Sequence, residues 1–292
     1  MREPCAIAYP DPPMPRLSAC IICLDEEAKI EDCLRSLEGV VDEIVVVDSG
    51  SRDRTLEIAR RYTPRVIHQD WLGMGAQKAF AYAQASHDWI LNLDCDERLT
   101  PELAESIRSA MEREPEHAAY ELPRKTWYVD RWLEHCWYPE WRARLFDRRR
   151  CEVRGEDPHE YVHALSGPTG RLSGDLLHYS FDSLSDHLRT IDVYTTVAAR
   201  GLHERGRRAG ILTPWTRGAW TFLRVLLVKR ACLDGFAGWT AAMLSGVHSY
   251  LKYAKLRFLQ AAPGAPAPRA KPTASRDLAA GERLEERGPV GR

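Results

Sequence analysis

Four short apolar runs, residues 17–24, 43–47, 65–68 and 89–93, alternate with stretches of helical character. The first such stretch carries Ile30, Cys33, Leu34 and Leu37 on one face. Runs this short and continuous read as strands buried on both faces. Strands that alternate with helices assemble into a parallel sheet covered on both sides. Further helices are expected over 54–62, from Gly73 and Gly75 to about residue 85, and from Thr100-Pro101-Glu102 to about residue 111. The last opens on a cap, a first-turn proline and an acid at the positive end of the helix dipole.

Three of the four runs end in acids. Asp25-Glu26-Glu27 follows the first, Asp48 the second, and Asp94 and Asp96 the fourth. In parallel sheets ligands bind beyond the carboxyl ends of the strands. Strand side chains alternate, so a strand over residues 89–93 sends Asp94 and Asp96 to the same side. Neighbouring carboxylates repel unless a divalent cation sits between them and something anionic, and hard oxygen ligands suit Mg2+ or Mn2+. Taken alone, the stretch also reads as a polar turn ending a strand. Acids after three strands favour a metal and a nucleotide.

The 292 residues suffice for one large or two small domains. The net charge of −1 names no partner, but its distribution is uneven: residues 200–260 hold eleven Lys or Arg against two acids. The eight cysteines do not resemble a disulfide framework, and Cys20 and Cys23, a C-x-x-C inside an apolar run, read as buried thiols. Residues 1–16 are proline-rich and read as a disordered lead-in without an export signal. No 18-residue apolar span predicts a membrane crossing, so the cytoplasm is the expected location. Residues 119–180 are richer in aromatics and short strands. Helices are expected over 183–204, 215–233 and 236–259, and residues 261–292 read as a disordered tail.

The chain resembles inverting family 2 glycosyltransferases of the GT-A fold, a Rossmann-like, mainly parallel sheet with helices on both faces, here followed by a C-terminal helical region. The resemblance rests on residues 18–27 (S-A-C-I-I-C-L-D-E-E), 42–55 (D-E-I-V-V-V-D-S-G-S-R-D-R-T), 73–79 (G-M-G-A-Q-K-A) and 88–97 (D-W-I-L-N-L-D-C-D-E). Arg144-Leu145-Phe146, His159-Glu160 and His178-Tyr179-Ser180 resemble the subgroup of lipopolysaccharide-core β-glucosyltransferases. Asp25, Arg52 and Arg54 depart from the family's usual Asn, Thr and Gly. The resemblance implies a nucleotide-sugar-binding half over 17–115, an acceptor-side half over 116–181 and C-terminal helices over 182–260. It implies that Asp48, Glu26 and the backbone near Ile22 and Leu24 meet the donor nucleotide, that Gln77 and Lys78 approach its ribose and diphosphate, and that Asp94 and Asp96 hold Mg2+ or Mn2+ on that diphosphate. The implied reaction moves a sugar from a nucleoside-diphosphate donor, with UDP expected, to a lipid-linked saccharide at the cytoplasmic face of the inner membrane. Transfer to polyprenyl phosphate and a non-catalytic nucleotide-sugar-binding module are the alternatives.

Inverting transfer needs a base for the acceptor hydroxyl. Residues 156–160 are the best source, with Glu160 first and Asp157 next. Arg142 and Arg144 are candidates to position phosphates, or are surface arginines. Residues 159–163 also spell H-E-x-x-H, which in zinc hydrolases lies on a helix. Pro158 and the strand-forming Tyr161 and Val162 argue against that helix. The basic C-terminal helices interleave aromatics such as Trp215, Trp220, Phe236 and Trp239 with cations. They read either as a packed pair with a solvated basic edge or as a peripheral membrane surface. No motif supports nucleic acid.

Overall fold

The computed structural model describes residues 15–112, 114–154 and 161–261. They divide into two compact units. One holds the chain up to Pro123 together with Trp141–Leu176; the other holds Arg124–Glu140 and the chain from Leu177. The tail expected over 261–292 and the lead-in over 1–16 lie outside the described residues, apart from residues 15, 16 and 261.

In the first unit, β1 (Leu17–Cys23), α1 (Ile30–Arg35), β2 (Glu43–Asp48), α2 (Thr55–Tyr62), β3 (Val66–His68), α3 (Met74–Gln84), β4 (Trp89–Asp94), β5 (Glu97–Leu99) and α4 (Pro101–Met111) follow in turn. β1 pairs in parallel with β2 and with β4, and β2 pairs in parallel with β3. β6 (Ala119–Tyr128) and β8 (Glu140–Asp147) carry residues of both units, and β7 (Arg131–Trp132) lies between them in the chain. β8 runs antiparallel to β4, with Leu145 opposite Leu91. β9 (Cys151–Arg154) and β10 (Tyr161–Ala164) form an antiparallel pair, and β11 (Gly170–Arg171) adds to β6.

The period of two along β1 explains its unbroken apolar run. Leu17, Ala19, Ile21 and Cys23 face a layer that includes Ile30 and Leu34 of α1 and Leu103 and Ile107 of α4. Cys20 faces the opposite layer with Ala81 and Tyr82 of α3. Both faces are buried, and the one polar side chain of the strand, Ser18, is satisfied by donating to Glu43 Oε2 at 2.6 Å. Cys20 and Cys23 are buried thiols, and burial pushes Cys20 up to about 12, far from a reactive thiolate. Thr100 caps α4 as its sequence requires, its hydroxyl accepting from the Leu103 amide at 3.3 Å.

The second unit contains most of β12 (Leu176–Phe181), then α5 (Leu184–Glu204), α6 (Thr213–Leu223) and α7 (Gly235–Ala261). A helix was expected to run through 215–233. It loosens instead into a π-helical turn over Arg224–Val228, reverses at Arg230 (φ +53°), and passes through a 3-10 turn over Ala231–Asp234. Local propensity favours a continuous helix; a tertiary contact breaks it. The buried Asp234 carboxylate accepts from the backbone amides of Glu134, His135 and Cys136 at 3.0, 3.1 and 2.7 Å. α6 and α7 meet at two glycines: a Cβ on Gly218 would lie 3.1 Å from the Gly246 carbonyl, and one on Gly246 would lie 3.1 Å from the Gly218 carbonyl. None of the described helices is long and apolar enough to cross a membrane.

His187 of α5 is buried among Tyr128, Trp137 and Phe181, with Nδ1 2.9 Å from the Tyr128 hydroxyl. Burial, with His248 adding to it, lowers its pKa to about 4. The folded state therefore disfavours the imidazolium. The stability this contributes is complete above about pH 6.5 and is lost as the pH falls from there towards 4, about 3 kcal/mol over the whole window. His187→Asn is expected to flatten that part of the pH profile in urea unfolding measured between pH 7.5 and 4.5. Parallel profiles for variant and parent would refute the assignment.

Candidate functional site

The registers bring the acids together. Cys23 of β1 lies opposite Asp48 of β2, and Ile22 lies opposite Asp94 of β4, so two carboxylates flank the end of β1 at nearly the same height. This is the carboxyl edge of the parallel strands, where such sheets bind ligands.

Asp94 is the centre of the arrangement. Its Oδ1 lies 2.8 Å from Nζ of Lys78 on α3, and its Oδ2 accepts from Nη2 of Arg144 on β8 at 2.6 Å. The same Nη2 donates to Oε1 of Glu97 at 2.5 Å, and Glu97 Oε2 accepts from the Asp94 amide at 3.0 Å. Lys78, Arg144 and Glu97 are buried. Burial alone would raise the Asp94 carboxyl, but Arg144 and Lys78 outweigh it and hold the group well below the usual carboxylate range. Burial would likewise lower Arg144, and Asp94 and Glu97 reverse that. Arg144 Nε is buried without a hydrogen-bond acceptor among the described residues.

The strand ends at Asp94, and Cys95 and Asp96 turn the chain into β5. Strand alternation therefore stops two residues short of Asp96 and does not orient it. Among the described residues, no three His, Cys, Asp or Glu side chains are grouped to hold a metal. Each oxygen of Asp94 already faces a protein cation. The one kind of metal such a set would suit is Mg2+ or Mn2+ held through one or two carboxylates and completed by substrate phosphates. The set does not make a self-standing metal centre.

A second group of residues builds the floor. The buried Asp48 carboxylate accepts from the amides of Gly50 at 2.8 Å and Ser51 at 3.1 Å and from the Ser51 hydroxyl, shaping the turn after β2. The fully buried Gln77 joins that turn to the segment before α3: its Nε2 donates to Ser49 Oγ and to the Gln69 carbonyl, each at 3.0 Å, and its Oε1 accepts from the Leu72 amide at 3.2 Å. After β1, Asp25 adopts φ +55°, a conformation Asn and Asp tolerate better than other side chains. Its amide donates to Ser51 Oγ at 2.9 Å and its carboxylate accepts from the Arg52 amide at 2.6 Å. The Glu26 amide donates to Thr55 Oγ1 at 2.7 Å, and the Glu27 carboxylate accepts from the Arg54 amide at 2.9 Å. The departures at Asp25, Arg52 and Arg54 thus fall where a short carboxylate and two backbone amides do the work.

The Ile22 carbonyl accepts from the Cys95 thiol at 3.2 Å, and Leu24 is half-buried just past β1. Arg142 is exposed on β8, two residues before Arg144. Asp157 and Glu160 lie outside the described residues, as does His159. His163 stands on β10, a strand paired with β9, where a zinc hydrolase motif would need a helix. Glu97 had no expected role. It was visible only as one more acid in a polar stretch, and its burial against Arg144, 47 residues away, has no local signature.

A doubly covered parallel sheet with this charged carboxyl edge defines an α/β enzyme of the nucleotide-binding kind. The chain belongs to glycosyl transferase family 2, whose model matches residues 18–165. It is a glycosyltransferase with a GT-A-like sheet followed by a helical region. It is 30% identical over 254 residues to the lipopolysaccharide core biosynthesis glycosyltransferase LpsC of Rhizobium meliloti, covering 82% of this chain and 91% of that protein. It is 28% identical over 257 residues to an uncharacterized glycosyltransferase of Rickettsia typhi, covering 84% and 88%. Among solved structures, Mycobacterium tuberculosis glucosyl-3-phosphoglycerate synthase in complex with Mn2+ and UDP-glucose is 26% identical, with a TM-score of 0.32 over 39% of this chain and 44% of that one.

Proposed function

We propose that this glycosyltransferase moves a sugar from a UDP-sugar to a lipid-linked saccharide of the lipopolysaccharide-core type, with inversion at C1, while resting peripherally on the cytoplasmic face of the inner membrane. The observation that carries the donor side is the Lys78–Asp94–Arg144 cluster at the sheet's carboxyl edge. Two buried cations and an unsatisfied guanidinium N–H suit a diphosphate, whose oxygens only accept. Likeness to LpsC over most of both chains supports the acceptor.

In the proposed reaction the bond from C1 to the diphosphate oxygen breaks as the acceptor oxygen bonds to C1 from the opposite face. The acceptor's proton passes to a carboxylate, which we assign to Glu160, with Asp157 next. Asp94 and Asp96 would hold Mg2+ or Mn2+, which when bound neutralises charge on the leaving diphosphate. Lys78 and Arg144 keep Asp94 ionised and fixed in direction. Asp48, Gln77, Glu26 and the backbone at Ile22 and Leu24 form the nucleotide's floor, and Arg142 is an exposed cation for the acceptor's phosphates.

The test is a thermal-shift panel of nucleotide sugars with and without Mn2+. At a hundredfold excess over Kd, a UDP-sugar with Mn2+ should raise Tm by roughly 5–10 °C. Mn2+ alone should do little, because the carboxylates need the diphosphate to complete the metal's shell. A shift with GDP- or CMP-sugars and none with any UDP-sugar would refute the donor assignment.

A further inference from the structure

Within the second unit, α6 and α7 are antiparallel arms of a helical hairpin, and the chain between them makes its tip. The tip's inner side is ordinary core: Leu226, Ala231 and Ala237 are buried with Tyr128, Leu133 and Cys136. Its outer side should then be polar, and it is not. Leu227, Val228, Leu233 and Phe236 stand between 61 and 82% exposed. Scattered exposed apolar residues need no explanation, but four within ten residues of one turn form a patch. Trp220 and Trp239, one further along each arm, are also exposed.

Within residues 224–236 the exposed charges have one sign. Arg224, Lys229 and Arg230 are exposed there. Asp234 is the single acid between residues 205 and 261, and its carboxylate points inward, held by three backbone amides and by His135 Nδ1 at 2.9 Å. The tip segment therefore presents cations and hydrocarbon with no exposed carboxylate of its own; the nearby acids, Glu134 and Asp130, are paired with Lys125 and Arg131. A soluble protein partner would need an apolar socket ringed with acids. An anionic bilayer offers both features at once: headgroup charge for the cations, acyl chains for Leu233 and Phe236, and an interface where tryptophan is at home. The arms do not span such a layer, since neither is long and apolar enough.

We infer that the α6–α7 tip, residues 224–236, is a docking surface for an anionic phospholipid bilayer, with Phe236, Leu233, Leu227 and Val228 entering the interface and Arg224, Lys229 and Arg230 meeting the headgroups. This names the surface for the membrane placement proposed above and rests on that placement, not on the identity of the sugar or acceptor.

The full chain is tested by co-sedimentation with vesicles of pure phosphatidylcholine and of phosphatidylcholine mixed equally with phosphatidylglycerol. The protein should bind the anionic vesicles, far less the neutral ones, and more weakly as salt rises. A cation near such a surface is worth about fivefold in partitioning, so K229E/R230E should weaken binding at least about tenfold. L233D/F236D should remove it. Both pairs change exposed side chains, and an unaltered thermal unfolding curve checks that each variant is folded. If the parent ignores anionic vesicles, the membrane placement itself fails. If parent and variants bind alike, the tip assignment fails while the placement stands. If the parent is a dimer by light scattering, L233D/F236D is a monomer, and no vesicle binds, the tip is a self-association face and the inference is overturned.

Discussion

Asp94→Asn should lower sugar transfer at least about a hundredfold, the usual scale for losing one preorganised charge-stabilising group. The substitution keeps the side chain's size and removes its charge. Lys78 and Arg144 then face a neutral amide, with Glu97 the remaining partner of the guanidinium. A diphosphate would still meet both cations, so donor affinity should fall much less than turnover. That split separates a lost transition-state interaction from a lost binding site. Activity is best measured at low temperature with circular dichroism as the check on folding. A variant retaining more than a tenth of parental turnover would remove Asp94 from the reaction.

The second expectation concerns stability. Arg144→Ala should destabilise the first unit by about 3–5 kcal/mol, the range for breaking a buried ion pair from one side. The buried range applies because the side chains of Arg144 and Glu97 are only 7% and 0% exposed. Alanine would remove the guanidinium nitrogen from which the carboxylates of Asp94 and Glu97 both accept. Arg144→Lys should recover much of the loss, because both acids bond to a single guanidinium nitrogen rather than to its fork. Urea denaturation of the three proteins decides it; an alanine variant as stable as the parent would mean the charges are solvated or mutually compensated elsewhere. The pH dependence has a definite sign. Asp94 is held below its ordinary range, so its contribution is complete above the unfolded carboxylate pKa of about 4 and is lost as the pH falls through its lowered value.

The sheet was readable because burial on both faces leaves a local mark. The runs at 17–24, 43–47, 65–68 and 89–93 became β1 to β4, and their acid-tipped ends lie side by side because parallel pairing aligns carboxyl termini. The pairing of Arg144 with Asp94 was not readable. Fifty residues separate the two, and the intervening chain leaves the parallel layer and returns antiparallel. From sequence, Arg144 was an arginine for phosphates or for solvent; its contacts are with the protein's own acids. β5 leaves no mark in the sequence because three residues carry no period, and the end of α6 leaves none because Arg-Val-Leu-Leu-Val-Lys-Arg has no helix-breaking residue. At Arg144 and at the end of α6 a distant group decided the outcome.

The lacing of residues 25–27 to 51–55 has a consequence for how a ligand is received. Two segments that depart from neighbouring strands share reciprocal bonds through Asp25, Ser51, Arg52, Glu26, Thr55, Glu27 and Arg54. They form one cross-bonded ledge. The entropy lost in ordering it falls on folding rather than on association, so the nucleotide proposed for this edge would meet a surface already in shape.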